Sequence, residues 1–449
     1  MRREATDPVT GTDAEKSETF DQGLAALGDW LAMAPPTGEV AHAARRLLLD
    51  TVACAVAGFR NVDVAFLQSA GTGHALLGAA APLDPTEAAY AFSLAACADE
   101  ACEGLAFAHG RPGLHAVSAG VGAALRRDAS LDQLIDGIAA GFEMGGRMGG
   151  LFRARPGVHV DGTWGLVAAT VAARRVLGGD GPALAAAAQS ALCQMPASLY
   201  LPISQGADLR NSYSGHAAAA GLLIAASLAG GMTTPTGAVG AAGGYAFDRD
   251  DAAWLPPGRR LLLEGYLKPY PSVRHTHFGI EAGRRWKQAR PAAQIADIRS
   301  VRLEIYPEAT VYCGNRAPTS PIMAQFSLSY TLAYSLTQGD LTPSAYEPAA
   351  LNDPRLAALE SLIEIAPVEA LGAGGARKAR LSIETGDGEW CAEVDGAPGD
   401  ASAPLSDADI ADKTRKYCEG RISSDRAERL IADILEGPGD APARALLTV

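Results

Sequence analysis

Apolar positions recur every three to four residues from Phe20 to about Gly244, the spacing of helices that bury one face. Val40 to Ala57 places Ala43, Leu47, Thr51, Cys54 and Val56 on one broad face, and Gly58 follows as a helix stop. Leu131 to Met148 repeats the pattern with Leu134, Ile138, Phe142 and Met144, and Ser130 is available to cap its start. Trp164 to Leu177 runs into Gly178-Gly179 and His216 to Ala229 into Gly230-Gly231, both C-cap signals.

The period changes after Lys268-Pro269-Tyr270-Pro271, where two prolines disfavour a helix start and mark a boundary or hinge. Ile298 to Tyr306 alternates Val301, Leu303 and Ile305 with Ser300, Arg302 and Glu304, which predicts a strand ended by Pro307. Ala379 to Thr385 and Glu389 to Val394 flank Gly386-Asp387-Gly388 as a hairpin. Met323 to Leu336 and Pro354 to Ile363 predict helices between these strands, and Asp407 to Leu435 returns to helix. The expected fold is mainly α, with a flexible tail over residues 1–19 and a large helical domain over 20–265. A smaller α+β domain over 266–397 follows, and helices over 398–449 pack back on the first domain, so that the second is an insertion. No repeat of fixed period suggests a solenoid.

Composition supports the helical body, because 50 glycines, abundant alanine and 6% aromatic residues suit close packing of small-residue helices better than a sandwich or barrel. Acidic residues outnumber basic ones 51 to 38, for a formal charge of −13, without a Lys/Arg block. Nucleic acid and anionic membranes are therefore not expected partners. The longest apolar stretch, Ala217 to Ala229, is shorter than the roughly 20 residues that span a bilayer. Met1 to Thr19 lacks the apolar core of a signal peptide, and the seven cysteines form no Cys-x-x-Cys pair. A cytoplasmic protein without a disulfide framework or zinc ribbon is expected, and the spacing weighs against an iron–sulfur dehydratase.

The eight histidines narrow the chemistry. His109 precedes Gly110-Arg111-Pro112-Gly113, His159 ends Arg155-Pro156-Gly157-Val158, and His275 and His277 follow Lys268-Pro-Tyr-Pro-Ser-Val-Arg274. These are loop and element-end contexts, where catalytic groups concentrate. One such histidine is ordinarily a solvated side chain; three contexts in one chain, each beside cations, point further. Arg111, Arg147, Arg153, Arg155, Arg210, Lys268 and Arg274 neighbour these histidines or glycine-rich turns, and arginine is the natural fork for a carboxylate. No His-Glu-x-x-His or comparable spacing supports a metal site, and the His275/His277 pair alone does not make one. The glycine runs at 145–150 and 240–244 follow no predicted strand, so dinucleotide binding is rejected, and neither a Walker motif nor a Gly-x-Ser-x-Gly elbow occurs.

Several segments together resemble the MmgE/PrpD family, which includes 2-methylcitrate dehydratase, cis-aconitate decarboxylase and iminodisuccinate epimerase. They are Leu48 to Gly58, Ala140 to Arg147, Gly157 to Gly165, Ser214 to Gly221, Lys268 to Arg274 with His277, and Pro404-Leu405-Ser406-Asp407. The resemblance implies a large helical domain built from both chain ends, an inserted α+β lid, a homodimer and an active site between the domains. It implies a cofactor-independent and metal-independent enzyme, a lyase acting on a small di- or tricarboxylic acid by proton abstraction α to a carboxylate. Dehydration is the first expectation and decarboxylation the second; an epimerase using the same abstraction and a catalytically inactive scaffold are the alternatives. His159 and His277 would line the site, with Lys268, Arg274 and His275 near the hinge and Tyr312 reaching in from the lid. Two departures bear on specificity. Where relatives carry an Asp-rich stretch followed by His-Pro, this chain has Asp99-Glu100-Ala101-Cys102-Glu103 and then Arg111-Pro112; counting from Asp99 selects His109, and the proline register selects Arg111. Arg210 stands where relatives place a catalytic lysine, and an always-protonated guanidinium clamps a carboxylate but is a poor proton shuttle.

Overall fold

The computed structural model describes residues 11–62, 73–243 and 247–449, with side chains from residue 18 onward. The body is a stack of helices: Gly38–Gly58, Pro85–Ala98, Pro112–Arg127, Leu131–Leu151, Gly165–Val176 and Ser212–Ala229. Their starts follow local chemistry. Asp84 and Glu87 form a capping box on the second of these helices, and Ser130 and Gln133 form another on the fourth. Small residues let the axes approach closely: a Cβ on Gly58 would overlap the carbonyl oxygen of Ala95, and one on Gly141 that of Ala168.

The first core gathers Leu47, Val52, Phe92, Leu114, Leu134 and Ile138 together with Ile410, Leu430 and Ile434 from the C-terminal helices. Asp407–Cys418 and Ser424–Leu435 both pack on Gly38–Gly58, so the two ends of the chain build one body. A second core joins Leu24, Leu27, Met144, Val167 and Leu184. Two short antiparallel ribbons supplement the helices, Gly104–Leu105 with Gly265–Tyr266 and Phe152–Ala154 with Phe247–Arg249.

Between the two parts of the body lies an α+β unit with its own core of Phe278, Trp286, Leu303, Ile305, Leu332, Leu336, Leu381 and Ile383. Its sheet runs Ile363–Pro367, Ile298–Ile305, Ala379–Thr385, Gly388–Val394, the first pair parallel and the others antiparallel, with Leu303 opposite both Ile365 and Leu381. The helices His277–Ala289 and Leu328–Gln338 cover one face, and the alternating side chains of the central strands leave polar residues on the other.

Some elements depart from expectation. The first helix starts at Gly11, before Phe20; Ala14, Glu15, Lys16 and Glu18 are good helix formers, and residues 1–10 lie outside the described residues. The helix expected over Met323 to Leu336 is two, Pro321–Gln325 and Leu328–Gln338, because the Ser327 hydroxyl caps a new start by accepting the Tyr330 N–H at 3.1 Å. The helix from Pro354 ends at Ser361, and Ile363 instead opens a parallel strand. Asp407 to Leu435 also divides, at Gly420 in the left-handed region (φ +70°) and the Ser423 cap. Among the described residues no helix is long and apolar enough to cross a membrane.

Candidate active site

Five charged side chains converge where the Pro85–Ala98 helix ends and the Pro112–Arg127 helix begins. Arg111, the residue before the latter helix, donates through Nε to Asp161 Oδ1 at 3.2 Å and through Nη2 to Asp161 Oδ2. Arg210, in the tight turn Asp208–Asn211 that leads into Ser212–Ala229, reaches Asp161 Oδ2 at 3.4 Å and bonds Glu100 through Nη2. Lys268, directly before Pro269, donates to both the backbone carbonyl and Oε1 of Glu100, each at 2.8 Å. The Cys97 sulfur lies between the two guanidinium groups, 3.0 Å from Arg111 Nη2 and 3.1 Å from Arg210 Nη1. All six residues are buried.

Three cations face two carboxylates, so the cluster carries a surplus positive charge away from water. Burial alone would raise the Asp161 and Glu100 carboxyls, but Arg111 and Arg210 outweigh it, joined by His159 for Asp161 and Lys268 for Glu100, and hold both well below the usual range. Two buried guanidinium atoms, Arg111 Nη1 and Arg210 Nε, have no hydrogen-bond partner among the described residues. Glu100 sits at φ +53°, a conformation seldom adopted by a non-glycine residue.

His159 borders this cluster. The Asp161 N–H donates to its Nδ1 at 3.1 Å, with an Asp161 carboxylate oxygen 3.9 Å from the same nitrogen. Its ring lies between Tyr200 and Tyr213, with centroids 5.8 and 6.1 Å away, and burial brings its pKa down to about 4, so the imidazole is neutral at pH 7. Behind the cluster, His115 donates from Nδ1 to the Arg111 carbonyl at 2.7 Å and accepts the Gly162 N–H at Nε2, 3.2 Å away. It thereby fixes the backbone of both Arg111 and the residue after Asp161. Gly165 leaves room for that ring, which a Cβ would overlap.

The structure thus brings together Arg111, Arg210, Lys268 and His159 and places the other expected residues elsewhere. His109 is exposed on the body, its carbonyl accepting the Trp164 indole N–H at 2.7 Å. Asp99 turns away to Arg60, whose Nη2 donates to both carboxylate oxygens at 2.8 Å. Arg274 pairs with Asp400, lies over the Tyr266 and Phe278 rings, and lines a cavity of about 720 Å³ shared with Tyr306, Glu308 and Arg377. His275 stacks on the half-exposed Tyr312 and bonds the Tyr306 hydroxyl through Nδ1 at 2.7 Å; burial takes it down to about 3. His277 is fully enclosed, with Nε2 on the Ser272 carbonyl at 3.2 Å.

Cys97, Glu100, Asp161 and His115 were not singled out by sequence reasoning. Asp161 lies inside the Gly157 to Gly165 segment and His115 four residues after Arg111, one helical turn on, so spacing was the available signal. Among the described residues no group of three or more His, Cys, Asp or Glu side chains is placed to hold a metal ion.

Comparison with known families agrees with this architecture. The model of the MmgE/PrpD N-terminal domain matches residues 24–247, and that of the MmgE/PrpD C-terminal domain matches residues 270–436. No curated protein matches the chain.

Proposed function

The chain belongs to the MmgE/PrpD family, whose members are of lyase or isomerase type, and from that premise we propose that it is a cofactor-independent lyase acting on a small di- or tricarboxylic acid. The observation that supports this most is the buried surplus of positive charge at Arg111, Arg210 and Lys268, with Arg210 Nε left without a hydrogen-bond partner among the described residues. Abstracting a proton α to a carboxylate builds negative charge on that carboxylate, and preorganised cations in a dry site stabilise it far more than water would. Arg111 and Arg210, held by Asp161 and Glu100, supply the positive field for the acid, Arg210 Nε offers an N–H that no side chain among the described residues takes, and Lys268 is the third cation.

His159 moves the proton. With Nδ1 accepting the Asp161 amide, the ring proton rests on Nε2; Nε2 becomes the base when that proton is lost to solvent and Nδ1 takes one from solvent, giving up the amide contact and turning its N–H to the Asp161 carboxylate, 3.9 Å away. In dehydration the Cα–H electron pair forms the double bond, the β-hydroxyl departs, and the abstracted proton completes the water.

The test is incubation with citrate-, methylcitrate- and aconitate-like acids in D2O, followed by NMR. An unsaturated or decarboxylated product is the expected result. Solvent deuterium at Cα without loss of water or CO2 overturns the lyase reading in favour of an epimerase, and no change in any acid favours a scaffold.

A further inference from the structure

Lys413 lies on the C-terminal helix Asp407–Cys418, which Ser406 of the Pro404 to Asp407 segment caps. It is buried, and its three ammonium hydrogens have three acceptors: Asp50 Oδ1 at 2.6 Å, the Ala101 carbonyl at 2.9 Å and the Lys268 carbonyl at 2.8 Å. Each acceptor belongs to a different segment. Asp50 is on the Gly38–Gly58 helix, Ala101 directly follows Glu100, and Lys268 is the cation that itself bonds Glu100.

We propose that Lys413 is a positioning residue that holds Glu100 and Lys268 in register from behind, with Asp50 as its counter-charge. Two features support a role beyond stability. A buried ion pair contributes less than well-packed apolar residues of the same volume often would, so its presence needs a geometric reason. Glu100 also adopts a strained backbone conformation that persists only where its surroundings over-determine it, and the Ala101 carbonyl bond is part of that restraint. As an effect on catalysis, the inference rests on the lyase reading.

The experiment compares wild type, Asp50→Asn and the double variant Asp50→Asn/Lys413→Met, which removes both charges and leaves no unpaired buried ion. The double variant should lose about 10- to 100-fold in kcat for whichever acid of the panel above wild type transforms, a loss typical of a misplaced group. Asp50→Asn keeps the ammonium on both carbonyls and should lose much less. A readout needing no substrate runs alongside: backbone amide exchange around Ala101 and Lys268 should speed up at least 10-fold in the double variant, relative to amides of Leu131–Leu151. If wild type transforms no polycarboxylate, the lyase reading fails and amide exchange alone decides on Lys413. If Asp50→Asn does not fold, exchange in wild type against the double variant decides. Equal exchange in the folded proteins, or equal kcat losses in the two variants, overturns the proposal.

Discussion

At Arg111 two registers of the sequence competed, and geometry separates them: the guanidinium enters the ionic cluster while His109 faces outward. Residue type and a proline at the next position made that arginine legible. Glu100 and Asp161 were not, because most of their partners, Arg210 and Lys268 for Glu100 and Arg111 and Arg210 for Asp161, lie far away in sequence and only the fold supplies them. For His159→Gln, turnover of the identified acid should fall about 10²- to 10⁴-fold with melting temperature little changed, measured by NMR rates and thermal unfolding. Arg210→Lys should change affinity or product distribution more than stability, since the charge is kept and Glu100 and Asp161 retain Lys268 and Arg111, while the planar fork is lost. Glu103 is a distinct case. One of its oxygens accepts the Leu114 N–H at 2.9 Å, the other has no partner among the described residues, and burial raises its pKa to about 7. The folded carboxyl therefore keeps a proton that the unfolded chain releases near pH 4.5, so this group costs stability as pH rises from 4.5 to 7. Glu103→Gln keeps the acceptor and removes the titration; its stability relative to wild type should grow between pH 5 and 8 by on the order of 1–3 kcal/mol, measured by urea unfolding.

The legible elements were those with long, regular periods or strong punctuation. Ala379–Thr385 and the Ser130 cap were readable because alternation and a capping side chain act locally. The break at Ser327 was not, since its hydroxyl also donates to the Asn315 carbonyl at 2.7 Å, a tertiary bond that fixes where the second helix begins. Strand Ile363–Pro367 was hidden for a similar reason: five residues following a helix become a strand through parallel pairing with Ile298–Ile305. Helix crossings carry the site as well. The Pro85–Ala98 helix delivers Cys97 and, two residues past its end, Glu100, and its height in the stack is set where Ala95 meets Gly58. Gly58→Ala should therefore destabilise by roughly 1–3 kcal/mol or more, since the clash is with backbone that cannot rotate away. Its acid affinity should fall too, because the shift propagates to Glu100. Wild-type affinity in a destabilised but folded Gly58→Ala protein would uncouple the crossing from the site.

Among the described residues, three buried histidines, His115, His159 and His277, and the half-buried His275 all have pKa values held down by desolvation, and each is neutral when folded at pH 7 and titrates near pH 6.5 when unfolded. Their stabilisation is complete above pH 6.5 and is lost as pH falls below it; Glu103 opposes this between pH 7 and 4.5, and the carboxyls of Asp50, Asp99 and Asp136, which burial also raises, oppose it at lower pH, so stability should fall on acidification from pH 6.5 to 5. A flat unfolding free energy between pH 6.5 and 5 would contradict this. The same burial distinguishes an internal acid site from adventitious anion binding. The net charge of −13 repels a polycarboxylate at long range, and salt screens that repulsion, whereas the sealed contacts at Arg111, Arg210 and Lys268 lie beyond effective screening. Tricarballylate at about 100 times its Kd should stabilise the protein by about 2.7 kcal/mol. That shift should survive about 0.5 M NaCl and vanish in Arg210→Gln. A shift abolished by salt but retained in Arg210→Gln would put the acid on exposed arginines and remove the buried cations from the argument for catalysis.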